Sequence, residues 1–386
     1  MATKDTMQAV VFKGKLQVAV EQRPIPKIQD PQDIIVKRLT DMVGSSSVFL
    51  PAGFSSTLLL FSVDRSILTL AAETKSELHL FRGHEPAEPG FIMGHEFTGE
   101  VIELGSQVNT VKKGDMIVTP FTTSCGDCFY CKKGNSSRCA TSKPFGSPIL
   151  DGGQAEYCRI PDADSTVFKA PTNIDQNKLV LMADIFPTGY FAASNAFRGT
   201  AEEDIAESVV LMIGCGPVGL CALVNALEFK PKIVLAIDGV ESRLQQAKAL
   251  GAEPWNYQKD MEGLRKRVLE LTDGRGADTV IELVGHSDAL RMGFDLLRPW
   301  GNISSIGVHN GEIPWSGADA YNKNLRIQMG RCPVRSLFEP ALNNLVKNQH
   351  KLDFMTENIK PLSEAPKWYD EFNNMKVQKI VFEADK

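Results

Sequence analysis

Between Val209 and Ile306 the sequence alternates strand-like and helix-like segments, and the first strand runs directly into Gly214-Cys-Gly-Pro-Val-Gly219. Strand patterns fall at Glu207–Ile213, Ile233–Ile237, Thr279–Val284 and Asn302–Ile306, with helix patterns at Leu220–Phe229, Ser242–Leu250 and Ser287–Leu297. Such alternation predicts a parallel sheet, because parallel strands need long crossovers and the helices then cover both faces. The glycine spacing adds chemistry. Gly214 permits the tight turn, Gly216 lets the backbone approach a pyrophosphate, and Gly219 lets helix and strand pack closely. Pro217 and Val218 complete the loop, and the N-terminal amides of the helix that follows then face the phosphates. Asp238 closes the second strand, about twenty residues beyond the last glycine, where a carboxylate accepts ribose hydroxyls. This favours NAD over NADP, since a 2′-phosphate would meet a negative charge, although Arg243 nearby tolerates one.

The rest of the chain reads differently. Short strand patterns at Met7–Phe12, Gln17–Glu21, Asp33–Leu39, Gly99–Leu104 and Asp115–Thr119 are separated by turns, as in a compact β unit with long loops. Lys178–Ala183 and Gly189–Phe197 are helical in pattern. The tail carries a helix at Leu337–Lys347 and a strand at Lys379–Phe382, which is expected to return to the first unit. A length of 386 residues suits two domains. The expected division is 1–182, 183–333 and a returning segment 334–386. A net charge of −5 with no basic run argues against nucleic acid. The apolar stretch Val48–Val63 is broken by Pro51 and Gly53 and falls short of the ~20 residues of a membrane span. No signal core or amphipathic presequence opens the sequence, so a cytoplasmic location is expected.

Metal-ligand spacing appears twice. Cys125, Cys128, Cys131 and Cys139 form a CxxCxxC ladder with a fourth thiol beyond it. Four soft ligands on one tight loop fit tetrahedral zinc, and a site closed by four thiolates is structural. Two disulfides are the alternative, disfavoured in a reducing compartment. The second place is Gly94-His95-Glu96, where an adjacent imidazole and carboxylate are both zinc ligands.

These three motifs, in this order, resemble the zinc-containing medium-chain dehydrogenase/reductase family, the alcohol dehydrogenase group. The string GHE-x2-G-x5-G-x2-V is matched from Gly94 to Val108. Asp184-Ile-Phe-Pro-Thr-Gly-Tyr190 and Gly330-Arg-Cys-Pro-Val-Arg335 are similar to the branch of glutathione-independent formaldehyde dehydrogenases and related fungal alcohol dehydrogenases. The resemblance implies an α/β protein with a GroES-like β-rich catalytic domain and a doubly wound Rossmann domain. It implies hydride transfer between NAD and a small alcohol or aldehyde hydrate, with zinc as cofactor. His95 becomes a metal ligand, Glu96 a carboxylate able to approach the metal, and Asp184 a ligand where other alcohol dehydrogenases use cysteine. Thr188, Gly189, Ile306 and Val308 would meet the cofactor, and Ser76 and His79 would carry the proton. A homodimer or homotetramer is implied.

One departure stands out. The family pattern Cys-Gly-Ser-Asp-x-His is here Thr74-Lys75-Ser76-Glu77-Leu78-His79, so the first catalytic-zinc cysteine is missing. Residues 41–73, just before it, form an atypical insertion. One account is a rebuilt site in which Glu77 or His79 supplies a ligand. The favoured account is translated non-coding sequence from about Met42 to Lys75, given the abrupt joins at both ends. Either way the chain is expected to keep structural zinc and to hold catalytic zinc poorly. The alternative function is a nucleotide-binding family member with little activity.

Overall fold

A computed structural model of the protein describes residues 5–43, 77–83, 86–374, 376–377 and 379–383. Ser76, the side chain of His79, the Val48–Val63 stretch and the segment attributed to non-coding sequence beyond Val43 lie outside the described residues.

Val209–Ile213 is buried at every position, as a strand covered on both faces must be. It lies inside a six-stranded parallel sheet whose order is Glu253–Asn256, Ile233–Asp238, Val209–Ile213, Ala277–Glu282, Leu297–Ser305 and Arg326–Met329. After its third strand, Glu253–Asn256, the chain crosses back to the other side of Val209–Ile213, and the switch between Val209–Ile213 and Ala277–Glu282 is where a crevice forms at the carboxyl edge in such sheets. Side-chain alternation splits the core between the two faces. Val210, Met212, Val234 and Ala236 pack toward the helices Ile185–Ala196 and Pro217–Glu228. Leu211, Ile213, Leu235 and Ile237 pack toward Leu264, Val268, Leu290 and Phe294.

Both edge strands escape the sequence pattern. Glu253–Asn256 is only half-buried and Arg326–Met329 is mostly exposed, so neither carries the apolar run that marks the inner strands. The helix Met261–Leu271 was not foreseen either, since Leu264 and Val268 are its only buried residues.

The first part of the chain builds a hairpin, Thr6–Gly14 with Gln17–Pro24, and a seven-stranded sheet centred on Ile34–Val43 and Glu96–Leu104. The tail does return: Ile380–Glu383 pairs antiparallel with Ile34–Val43, and Tyr369 and Phe372 of the helix Ala365–Asn373 pack beside Val10, Phe12 and Phe81. This pairing corrects one boundary. The strand expected to end at Leu39 continues to Val43, so residues 41–43, assigned above to the insertion, belong to the sheet.

The two sheets share a core. Val118 of the first sheet, Phe121 just beyond the same strand, Leu179–Ala183 and Phe338 join one cluster with the Rossmann helices. Within it, helix Ile185–Ala196 touches helix Pro217–Glu228 at Gly189, where a Cβ would come within 2.5 Å of the Ala222 amide.

Candidate functional site

Gly94 takes a φ of 99°, turning the chain so that His95 and Glu96 enter the junction between the sheets at the start of strand Glu96–Leu104. Both are buried. Glu77 opens the short helix Glu77–Phe81 and accepts twice from His95: from the ring Nδ1 at 2.6 Å and from the backbone amide at 2.8 Å. That leaves Nε2 facing Asp184, whose Oδ2 is 3.4 Å away. The helix Ile185–Ala196 begins immediately after Asp184, which brings Thr188 within one turn. Thr188 Oγ1 donates to Asp184 Oδ1 at 2.6 Å.

Glu96 has one oxygen engaged and one free. Its Oε2 accepts from Lys379 Nζ, and the pair is wholly buried, whereas Oε1 has no partner. One ligand atom each from His95, Glu96 and Asp184 lie within 4.8 Å of one another. An orphaned buried carboxylate oxygen costs stability unless something binds it. One imidazole nitrogen and two carboxylates fit a divalent cation with an open coordination position. Around them stand the outer partners such ligands need, Glu77 on the ring, Thr188 on Asp184 and Lys379 on Glu96. Glu77, considered above as a replacement ligand, instead orients His95. No thiol joins the group: all eight cysteines are described, and none is part of this trio.

The charges agree with that reading. Burial works against the charge on His95, yet Glu77 and Asp184 together hold its pKa well above the usual range. Burial pushes Glu96 up, and Lys379 and His95 only partly offset it. Glu77 and Asp184 sit below their ordinary values because His95 outweighs the burial that would raise them. The cluster therefore wants a positive charge at Nε2, and a cation there would take over the proton's role.

The cysteine ladder is built by Gly126 and Gly134, both at positive φ, around the short helix Phe129–Lys132. Its four sulfurs lie within 4.8 Å of one another, with Cys125 and Cys139 Sγ 3.6 Å apart. Zinc–thiolate bonds of ~2.3 Å in a tetrahedron put sulfurs roughly 3.8 Å apart, so the four fit the ion. Amides of Cys125 and Cys128 donate to the sulfurs of Cys139 and Cys125 at 3.3 and 3.4 Å. Backbone amides of Ala140 and Cys131 bring Cys128 down to about 6. Burial and the neighbouring Cys128 push Cys131 up to about 12. The lobe is docked on helix Val334–Asn348. Ser136 and Ser336 hydroxyls meet at 3.0 Å, Arg335 Nε donates to Ser165 O at 2.8 Å, and the Arg335 guanidinium lies 3.9 Å over the Phe168 ring.

At the nucleotide loop Gly214 has a φ of 96°, and a Cβ on Gly219 would come within 2.0 Å of Gly214 O, so both glycines are required. Gly216 precedes helix Pro217–Glu228, with Pro217 and Val218 in its first turn. Asp238 ends its strand as expected, but its oxygens are already engaged. Oδ2 accepts from Cys215 N and Oδ1 from Val240 N, both at 2.8 Å, and Arg243 Nη1 is 3.7 Å from Oδ2. Ile306 and Val308 follow strand Leu297–Ser305 at the same carboxyl edge, Ile306 N donating to Glu282 O at 2.9 Å.

Sequence reasoning missed two groups here. Lys379 carried a signal, a lysine heading the apolar run Ile380-Val-Phe382, but its partner lies 283 residues away. Arg82 donates from Nε to Asn373 Oδ1 at 2.8 Å and from Nη2 to Asn373 O at 3.0 Å. Burial and the charge of Arg243 lower its pKa.

Comparison with known proteins accords with this arrangement. Residues 68–172 match the alcohol dehydrogenase GroES-like domain family, and residues 217–347 the zinc-binding dehydrogenase family. The chain is similar to zinc-type alcohol dehydrogenase B of Aspergillus flavus, at 62% identity over 384 residues, covering 100% of this chain and 83% of that protein. It is also similar to the glutathione-independent formaldehyde dehydrogenase of Pseudomonas aeruginosa, at 28% identity over 422 residues and 97% of each chain. Among solved structures, alcohol dehydrogenase TADH from Thermus sp. ATN1 superposes with a TM-score of 0.83 at 29% identity, covering 98% of this chain and 100% of that one. Two family matches in chain order and a relative 62% identical across the whole of this chain show that it belongs to the zinc-type alcohol dehydrogenases, oxidoreductases of the medium-chain dehydrogenase/reductase family.

Proposed function

We propose that this enzyme oxidises a small alcohol or an aldehyde hydrate, passing the hydride to NAD at a site formed by His95, Glu96 and Asp184. The convergence of their three ligand atoms within 4.8 Å carries the proposal. These residues would hold the catalytic zinc, which when bound supplies Lewis-acid polarisation of the substrate oxygen. The protein's own part is positional. Glu77 fixes the ring and tautomer of His95. Thr188 fixes Asp184, and Thr188 rides on a helix packed at Gly189 against the helix of the nucleotide loop. Substrate and nicotinamide are thereby held on one rigid support, which lowers the entropy cost of bringing carbon and ring together. Ser76 and His79 are the proposed proton route.

Gly214, Gly216, Pro217, Val218, Gly219, Thr188, Ile306 and Val308 would line the cofactor, with Asp238 and Arg243 at its ribose. The Asp238 carboxylate supports NAD, because a 2′-phosphate there adds like charge beside it. Divisions at 182/183 and 333/334 are the proposed domain limits. A homodimer or homotetramer is supported by the outer strand Arg326–Met329, which has no further strand beyond it among the described residues, carries exposed Ile327 and follows the exposed Tyr321, with exposed Trp300 on the neighbouring strand. A cytoplasmic location is supported by the four-thiol metal site, which needs reduced cysteines. No helix among the described residues is long and apolar enough to cross a membrane.

The sulfur-free trio favours one second reading, a nucleotide-binding protein with little turnover. Assay of zinc-loaded protein against a panel of alcohols and aldehydes, with NAD and with NADP, separates the two. Chelator-sensitive oxidation is expected, and cofactor binding without turnover on any member would overturn the proposal.

A further inference from the structure

Glu282 ends strand Ala277–Glu282 and is fully buried, as is Ser305, its register partner on the neighbouring strand. A carboxyl group without solvent needs partners, and this one has four. Oε1 accepts from the amides of Val284 and Gly285, each at 2.7 Å. Oε2 accepts from Ser305 Oγ at 2.7 Å and lies 2.8 Å from His309 Nε2. Since Oε2 is an acceptor, Nε2 carries the ring hydrogen, an assignment made from its partners. The His309 side chain is only 6% exposed, and its Nδ1 has no partner. A buried nitrogen left unpaired costs stability that an apolar side chain would avoid. Packing therefore does not account for a histidine here, whereas the bond made by Nε2 does.

That bond ties two stretches of backbone together. One is Val284–Gly285, held by Oε1; the other is Gly307–Val308, which leads into His309. They are in contact: a Cβ on Gly285 would come within 2.4 Å of Val308 O, and one on Gly307 within 2.1 Å of Gly285 N. Val284 in turn touches the glycine loop, since a Cβ on Gly214 would come within 2.9 Å of Val284 Cγ2. The loop beyond is tethered as well, with Ser287 Oγ donating to Glu312 O at 2.7 Å. All of this lies at the carboxyl edge of the parallel sheet, where a dinucleotide rests in this architecture.

We propose that His309 is a positioning residue for the nicotinamide nucleotide, setting through its Nε2–H bond to Glu282 the spacing of the two backbone stretches that the cofactor meets. The inference rests on the dinucleotide reading above and adds to it a residue that acts through Glu282. The test uses His309→Leu, His309→Gln and His309→Asn in the full-length, zinc-loaded protein, with NADH titrated by its fluorescence and NAD varied in steady-state assays. Loss of one hydrogen bond to a carboxylate predicts that His309→Leu weakens NADH binding about tenfold and raises KM for NAD in step. At saturating cofactor kcat stays within about threefold, since the reacting groups are untouched. The melting temperature of the cofactor-free protein moves by no more than about 3 °C, because Glu282 keeps three partners. His309→Gln, whose amide nitrogen reaches the place of Nε2, recovers most of the affinity, and the shorter His309→Asn does not. Equal NADH affinity in wild type and His309→Leu overturns the proposal. So does equal affinity of the Gln and Asn variants, a comparison that stands even if the Leu variant fails to fold. If the wild-type protein binds neither NADH nor NADPH, the dinucleotide reading itself fails and this proposal with it.

Discussion

Replacing Lys379 by methionine tests how the buried carboxylate at the heart of the site is tolerated. Lys379 and Glu96 are each 0% exposed, and Glu96 Oε1 is already without a partner. The substitution keeps the length of the side chain and removes its charge, leaving both Glu96 oxygens unpaired. Breaking a buried pair by deleting one partner costs about 3–5 kcal/mol. Glu96 has a partial escape, because burial already raises its pKa and the lysine is the largest influence holding it down. Without Lys379 the carboxyl takes a proton more readily, and the loss should fall near the low end, about 3 kcal/mol. That is a large share of the ~5–15 kcal/mol by which proteins are stable. The sign with pH follows from the raised folded-state value. The folded protein holds this proton more tightly than the unfolded chain, so stability falls as pH rises from the unfolded carboxyl value through the folded one. The deficit of the variant should therefore be smallest at acid pH and grow toward neutral and above. Urea unfolding of metal-free protein, followed by tryptophan fluorescence at several pH values, measures it as a midpoint shift at constant slope. The double variant Lys379→Met/Glu96→Gln removes the stranded charge and should regain most of the loss. A single-variant loss below about 1 kcal/mol, or a double variant no more stable than the single, would refute the argument.

Three further outcomes are expected. Glu77→Gln removes the charge that anchors His95 Nδ1 and should weaken zinc at the His95 site by about 10–100-fold, read by competition with a chromophoric chelator; unchanged affinity would return Glu77 to a purely structural role. Exhaustive dialysis against EDTA should leave one zinc per chain, in the four-cysteine lobe, because the trio offers no thiolate; two retained zincs would show the trio to be a tight site. Asp238→Ser removes like charge from the ribose corner while Arg243 remains, and should raise the NADP-to-NAD ratio of kcat/KM by at least about tenfold, so a ratio that does not move argues against ribose recognition by Asp238.

The parts of this molecule that could be read from the sequence are those whose causes are local. A strand buried on both faces needs an unbroken apolar run, and Val209–Ile213 has one. A turn with a φ of 96° needs a glycine, and Gly214 is there. Four thiols on one loop declare a metal before any fold is known. The edge strands Glu253–Asn256 and Arg326–Met329 went unread because half-exposed segments are free to be polar. The Lys379–Glu96 pair and the Glu282–Ser305–His309 cluster went unread for another reason, that their members meet only after strands from distant parts of the chain are in register. Glu77 falls between these cases. Its family position was legible, but whether its carboxylate faces a metal or the back of an imidazole depends on the turn at Gly94.

The contact at Gly189 bears on how this enzyme could change over evolutionary time. Asp184, the proposed metal ligand, and the nucleotide loop are carried by two helices that meet backbone to backbone, with 2.5 Å between the place of a missing methyl group and Ala222 N. A single added carbon would act as a shim, widening the gap between Asp184 and the glycine loop and tilting one helix against the other. Where loops and walls have room to change, this one spacing has none, and it works as a fixed gauge between the two halves of the site.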